Sequence, residues 1–279
     1  MIYIRTMTAA DLPLGMRLKQ QAGWNQTEAD WRRVLALGSD GCFVADVDGR
    51  PVGTTATTVF DSIGWLEMVL VDEAFRGRGI GTQLMRHALE YLDGRRIPTA
   101  RLDATPLGRP LYEKLGFVAE YELVRMEGTA TGGAANENVV PAVADQFAAV
   151  CALDLEATGT NRRRLLECLR RERPEAMQLF IADGVPTGYA TARLGSRATQ
   201  IGPIVTFSES AGRSLADAAL LRYASQPVFL DTPVQNFAAM QWAESRGLRV
   251  QRPLTRMVRG APVHDRPDLL WASFGPEKG

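Results

Sequence analysis

The chain reads as an α/β protein on a mixed sheet, present in two copies, and three observations lead there. In the first half, apolar runs of strand length alternate with segments of helical period. One of those runs, Met68-Val69-Leu70-Val71, feeds a glycine-rich turn, Arg76-Gly77-Arg78-Gly79-Ile80-Gly81, that opens a helix. Several short motifs of the first half then recur in the same order in the second. A length of 279 residues accommodates one large or two ordinary domains.

Each element has a local reason. Tyr3 to Arg5 is a strand. Thr8 caps a helix, with Asp11 facing its unpaired N–H groups. A second helix follows Thr27 and carries Trp31, Val34, Leu35 and Leu37. Cys42 to Val47 and Val52 to Phe60 form a hairpin around the turn pair Asp48-Gly49. Trp65 to Val71 is a third apolar strand, followed by a helix from Gly79 to Leu92 and a strand from Thr99 to Ala104. A short helix ends at Gly116, a good residue for a left-handed helix stop, before a strand from Phe117 to Met126.

The segment 128–138 is rich in Gly, Ala, Thr and Asn, has no periodicity, and reads as a linker between domains at 1–127 and 139–279. Beyond it, Asp48-Gly49-Arg50-Pro51-Val52-Gly53 is echoed by Asp183-Gly184-Val185-Pro186-Thr187-Gly188. Leu102-Asp103 returns as Leu230-Asp231, and Leu123-Val124-Arg125-Met126 as Leu254-Thr255-Arg256-Met257. The copies differ at the glycine turn. In register, Arg76 meets Ala211, Gly79 meets Ser214 and Gly81 meets Ala216, so only Gly77 keeps a counterpart, Gly212. Tyr112 meets Ala243.

Composition narrows the classes. Lys and Arg number 32, as do Asp and Glu, so no global field recruits nucleic acid. The basic run at 161–173 reads as a solvated helix face with Leu165, Leu166 and Leu169 turned inward. Three cysteines without metal spacing predict neither a disulfide framework nor a metal site. No apolar run of membrane-spanning length occurs, so the expectation is a cytoplasmic protein with no membrane partner, a monomer or homodimer.

The spacing G-x-G-x-G is neither the dinucleotide fingerprint nor the P-loop. Glycines allow positive φ and close approach of a ligand. The first N–H groups of a helix favour an anion, and Arg76 and Arg78 add charge. The turn therefore reads as a pyrophosphate cradle. Together with the later Tyr112-Glu113-Lys114-Leu115-Gly116-Phe117, it resembles the paired signatures of the GNAT N-acetyltransferase superfamily. The whole chain is similar to its tandem (YitH-like) subfamily, in which a degenerate second GNAT domain follows an intact one.

This resemblance implies two tandem GNAT folds and acetyl-CoA as acyl donor. It implies that Met68, Val69, Leu70 and Val71 offer backbone groups to the pantetheine arm. Gly77, Gly79 and Gly81, with the neighbouring N–H groups of Ile80 and Thr82, would take the pyrophosphate, assisted by Arg76 and Arg78. A bulge around Glu67-Met68 would free an N–H for the thioester carbonyl, and Tyr112 would stand near sulfur as general acid.

Acyl transfer to an amine needs a base, oxyanion stabilisation and an acid for the leaving thiolate. A phenol suits the acid, and a packing tyrosine is the alternative reading of Tyr112. Glu67 is the candidate base because it interrupts an apolar strand; Asp103 or a water chain could serve instead. Direct attack through a tetrahedral intermediate requires no nucleophilic residue, in keeping with a chain that has two histidines and no Ser/His/Asp signature. The acceptor site is expected between the halves, with Trp24 and Asn25 at its edge and Arg162, Tyr189 and Gln200 in its wall. The apolar tail 269–275 is expected to pack as a final strand. Acetyl transfer to a small amine is the leading reading; acetylation of a protein or peptide, and CoA-responsive binding without turnover, are the alternatives.

Overall fold

Local signals set most element boundaries. The computed structural model describes residues 1–278. After β1 (Ile2–Thr6), the Asp11 carboxylate accepts from the Thr8 backbone N–H at 2.9 Å, and α1 (Leu12–Gln21) begins after one tighter turn. Thr27 and Asp30 cap α2 (Glu28–Gly38) in the same way, with Asp30 accepting from the Thr27 N–H at 2.7 Å. The hairpin β2 (Cys42–Val47) and β3 (Arg50–Phe60) turns at Asp48 and Gly49, both at positive φ. Then come β4 (Ile63–Val71), α3 (Ile80–Gly94), β5 (Thr99–Ala104), α4 (Arg109–Lys114) and β6 (Val118–Thr129).

The second half repeats this order. It comprises β7 (Val139–Pro141), α5 (Phe147–Thr158), α6 (Arg163–Glu172), β8 (Gln178–Ala182), β9 (Val185–Arg193), β10 (Thr199–Thr206), α7 (Glu209–Arg222), β11 (Pro227–Pro233), α8 (Phe237–Ser245) and β12 (Arg249–Gly260). The apolar tail adds β13 (Leu270–Ala272). Leu165, Leu166 and Leu169 of α6 are buried, as helical period requires.

All strands join one sheet in the order β1-β2-β3-β4-β5-β12-β6-β11-β10-β9-β8-β7, with β13 paired to β10. The halves exchange their last strands. β12 of the second half pairs antiparallel with β5 of the first, and β6 of the first pairs antiparallel with β11 of the second. β6 and β12 lie side by side at the centre. The echoed motifs thereby meet across the halves. Arg125 of β6 grips Asp231 of β11 at 2.8 and 2.7 Å, and Arg256 of β12 grips Asp103 of β5 at 2.8 Å through both arms. All four side chains are buried. The 128–138 segment starts inside β6; its remainder, without helix or strand, lies against α7, where Asn136 donates to Ser214 at 2.9 Å.

The central helices cover matching faces. Ile80, Leu84, Ala88 and Leu92 of α3 pack on Phe43, Val52, Leu66 and Ala100. Leu215, Ala219 and Leu220 of α7 pack on Ile201, Ile204, Val228 and Leu230. No described helix is long and apolar enough to cross a membrane.

Candidate active site

β4 and β5 run parallel and pair only over Ile63↔Thr99, Gly64↔Ala100 and Trp65↔Arg101. Beyond Trp65 they separate. On the other side of β4, Ala56 faces Glu67 and Thr54 faces Leu70, so Met68 and Val69 together oppose Thr55. This is a β-bulge of two residues against one, with Met68 at φ 52°, and such a bulge takes N–H groups out of the ladder. Thr54 Oγ1 donates to the Met68 carbonyl at 2.8 Å and holds the kink. The bulge falls where the resemblance placed it.

At the C-terminal end of β4, Gly77 and Gly79 have φ of 77° and 78°. A Cβ on either would meet no atom within 4 Å, so the space over the turn is open to a ligand that approaches the backbone closely. Gly79 caps α3, and Gln83 N–H, donating to Gly79 O at 3.1 Å, marks the first regular turn. The N–H groups before it have no helical acceptor. Ile80 sends its side chain into the core, so only its backbone serves the turn. Arg76 donates to the Val71 carbonyl at 3.2 Å, and Arg78 donates to the Ala74 carbonyl at 3.2 Å and covers the Phe75 ring. Both guanidiniums stay at the surface beside the turn. The residues present fit a diphosphate.

A cavity of about 570 Å³ occupies the gap between the separated strands. Glu67 through Val71 form one wall, Asp103, Thr105, Gly108 and Tyr112 another, and Arg76, which leads into the glycine turn, also lines it. Trp24, Gln26, Arg252, Pro276 and Glu277 complete it. Three of these last five come from the second half.

Tyr112 sits on α4, its ring over Gly108, where any Cβ would fall 3.0 Å from the ring. Its hydroxyl makes no hydrogen bond among the described residues. Burial pushes the phenol up to about 12, so it holds its proton at neutral pH. Glu67 is buried. Burial pushes its carboxyl up, while the Lys278 ammonium and the Thr58 hydroxyl, each on one carboxylate oxygen, pull it back. Lys278 reaches it from the chain's last described residues, beyond the final strand.

The corresponding gap in the second half is filled. β10 and β11 also pair over only two positions, Thr199↔Val228 and Gln200↔Phe229, before they part. There β13 enters: it pairs with β10, and its Trp271 carbonyl accepts from Thr232 of β11 at 3.0 Å. Gly212, the counterpart of Gly77, lies against the Trp271 ring, where a Cβ would fall 2.0 Å away. Ser208 Oγ takes the Ala211 N–H and satisfies the start of α7 from within. The tail thus packs as the final strand and closes the second cleft.

The structure departs from the expected acceptor wall. Arg162, Tyr189 and Gln200 are buried and do not line the cavity. Arg162 pairs with Asp154 and donates to the Lys278 carbonyl at 3.0 Å; Tyr189 donates to Asp154. Gln200 bridges Arg125 and Asp231 at 3.3 Å. Their polarity satisfies other buried polar groups, which fold stability demands. Asn25 likewise clamps residues 197 and 198 through three hydrogen bonds, while its neighbours Trp24 and Gln26 reach the cavity. Arg252, Glu277 and Lys278 were missed because nothing local in the sequence marks an exchanged strand or a returning tail. Among the described residues no cluster could hold a metal ion.

Comparison with known proteins gives the same picture. A model of the Acetyltransferase (GNAT) family matches residues 10–117, and one of the Acetyltransferase (GNAT) domain matches residues 150–272. An uncharacterized N-acetyltransferase of Archaeoglobus fulgidus is 35% identical over 106 residues, covering 36% of this chain and 70% of that one. The uncharacterized N-acetyltransferase YitH of Bacillus subtilis is 24% identical over 226 residues, 79% of this chain and 78% of its own. The crystal structure of a putative acetyltransferase from Pyrococcus horikoshii superposes with a TM-score of 0.86 at 26% identity, over 100% of this chain and 96% of that one. The chain belongs to the GNAT family of acetyl-CoA-dependent N-acetyltransferases and carries two of its domains in tandem.

Proposed function

We propose that the chain acetylates the primary amine of a small molecule in the first-half cavity. The observation that carries this reading is one cavity lined by the β4 bulge, by Tyr112 with its unpaired hydroxyl and by Arg76, the residue that leads into the open glycine turn. In this reading the N–H groups from Gly77 to Thr82 hold the donor's diphosphate, with Arg76 and Arg78 beside them. The strand from Met68 to Val71 aligns the pantetheine arm. Acetyl-CoA, when bound, supplies a thioester carbonyl as electrophile.

Glu67 is the base that takes a proton from the incoming ammonium. Its raised affinity for a proton suits that step, and the Lys278 ammonium opposes the rise. The amine forms the new N–C bond by direct attack, and an N–H freed at the bulge stabilises the oxyanion. The C–S bond then breaks, Tyr112 gives its proton to sulfur, and the second proton that nitrogen sheds in becoming an amide restores the phenol. Binding both partners in one cavity supplies much of the rate. Arg252, Pro276 and Glu277 of the second half add wall to this cavity of about 570 Å³, a volume that favours a small acceptor over a peptide.

The test is a panel of small amines incubated with the purified chain and acetyl-CoA, followed by free-thiol release. Amine-dependent release supports the reading; release with a lysine peptide but with no small amine overturns it.

A further inference from the structure

The charged groups of the cavity are neutralised by partners, with one exception. Glu67 is held by Thr58 and Lys278, Asp103 by Arg256, and Glu277 by Arg193 and Gln26. Arg76 is engaged by the Val71 carbonyl and by Glu73 at 3.6 Å. Arg252 has no such partner. Its Nε is buried and unpaired, and no carboxylate of the described residues lies within ion-pair distance of its guanidinium. It is half-buried and lines the cavity together with Gln26 and Glu277. Burial and the nearby Arg125 charge disfavour its cationic form, Asp231 and Glu277 favour it from beyond ion-pair distance, and the balance lies against the cation, so the position costs stability.

The neighbouring Gln26 is unsatisfied too. Its Nε2 donates to Glu277; a carboxylate oxygen only accepts, so the amide orientation is fixed and Oε1 is left buried with no donor. This part of the cavity wall therefore presents a free cation and a free acceptor. A half-buried guanidinium with no anion in ion-pair reach is an unusual arrangement for fold stability alone, and its forked donors match carboxylate and phosphate oxygens.

We propose that the acceptor is a primary amine that also carries an anionic group, a carboxylate or a phosphate, and that Arg252 of the exchanged strand β12 receives that group. The inference rests on the acetyl-transfer reading and adds the substrate class to it. It also gives the second half a part in catalysis: the strand it lends to the first half brings the specificity residue. Arg252 acts on binding and orientation, and the amine end of the same molecule is thereby directed toward Glu67.

The experiment measures kcat/KM for matched amines with the full chain: γ-aminobutyrate against its carboxamide, and phosphoethanolamine against ethanolamine. At least one anionic member is expected to exceed its neutral match by about ten- to hundredfold, the range of one charge-assisted contact. The pair that shows the preference tells carboxylate from phosphate. In Arg252→Met that ratio should collapse toward one through a raised KM for the anionic amine, with acetyl-CoA affinity by calorimetry as the check on folding. Arg252→Lys should restore part of the ratio, and if the Met variant does not fold, the wild-type ratios alone decide. Equal or better turnover of the neutral amines by the wild type overturns this inference and leaves the acetyl-transfer reading standing. No thiol release with any of the four amines, while acetyl-CoA still binds, overturns both.

Discussion

Arg256 and Asp103 stand 153 residues apart in the chain and meet through two hydrogen bonds of 2.8 Å, fully buried, on neighbouring strands β12 and β5. Arg125 and Asp231 form the same contact in the opposite sense. The two pairs lock the strand exchange, and Asp103 also forms part of the cavity wall. Removing one partner of such a pair leaves an uncompensated buried charge. Arg256→Met is therefore expected to lower unfolding stability by about 3–5 kcal/mol in a urea titration. A change under 1 kcal/mol would show that the pair does not hold the halves together.

Tyr112→Phe keeps the ring against Phe117, at a centroid distance of 6.1 Å, and removes only the hydroxyl. With the phenol at about 12 in the native protein, the group is an acid at neutral pH and not a phenolate. The variant is expected to lose about 10²-fold or more in kcat, with acetyl-CoA affinity little changed. Steady-state kinetics beside calorimetry separates the two quantities, and an undiminished kcat would make Tyr112 a packing residue.

Local elements were legible in the sequence because their causes are local. The caps at Thr8 and Thr27, the Asp48-Gly49 turn and the glycine turn before α3 all act within a few residues. The repeat of Leu102-Asp103 and Arg125 as Leu230-Asp231 and Arg256 showed that there were two copies. It did not show that each arginine crosses to the other copy's aspartate, because strand exchange leaves the local alternation of both strands unchanged. The residues expected in the acceptor wall lie outside the first-half cavity for a related reason. Arg162, Tyr189 and Gln200 are polar residues on buried elements, and sequence alone does not tell a pocket lining from a buried network. Lys278 carries no pattern at all; only the return of the tail brings it to Glu67.

Lys278 ties Glu67 to a pH dependence with a definite sign. Burial raises the Glu67 carboxyl above its ordinary value, and the Lys278 ammonium opposes that rise. A base must be ionised to act. Lys278→Met removes the opposing charge, so the carboxyl should hold its proton to higher pH, and the acidic limb of kcat/KM should move upward in pH. An unmoved limb in the variant would remove Glu67 as the base.

The central claim is that one acetyl-CoA is held by backbone N–H groups at the first-half turn, while β13 closes the second cleft. Titration calorimetry of the full chain with acetyl-CoA tests it most directly, alongside Gly79→Val, which places a β-branched residue at φ 78° in the cradle. The account predicts one site per chain in the wild type and no detectable binding in the variant, with both proteins folded. Two sites per chain, or unchanged affinity in Gly79→Val, would contradict it.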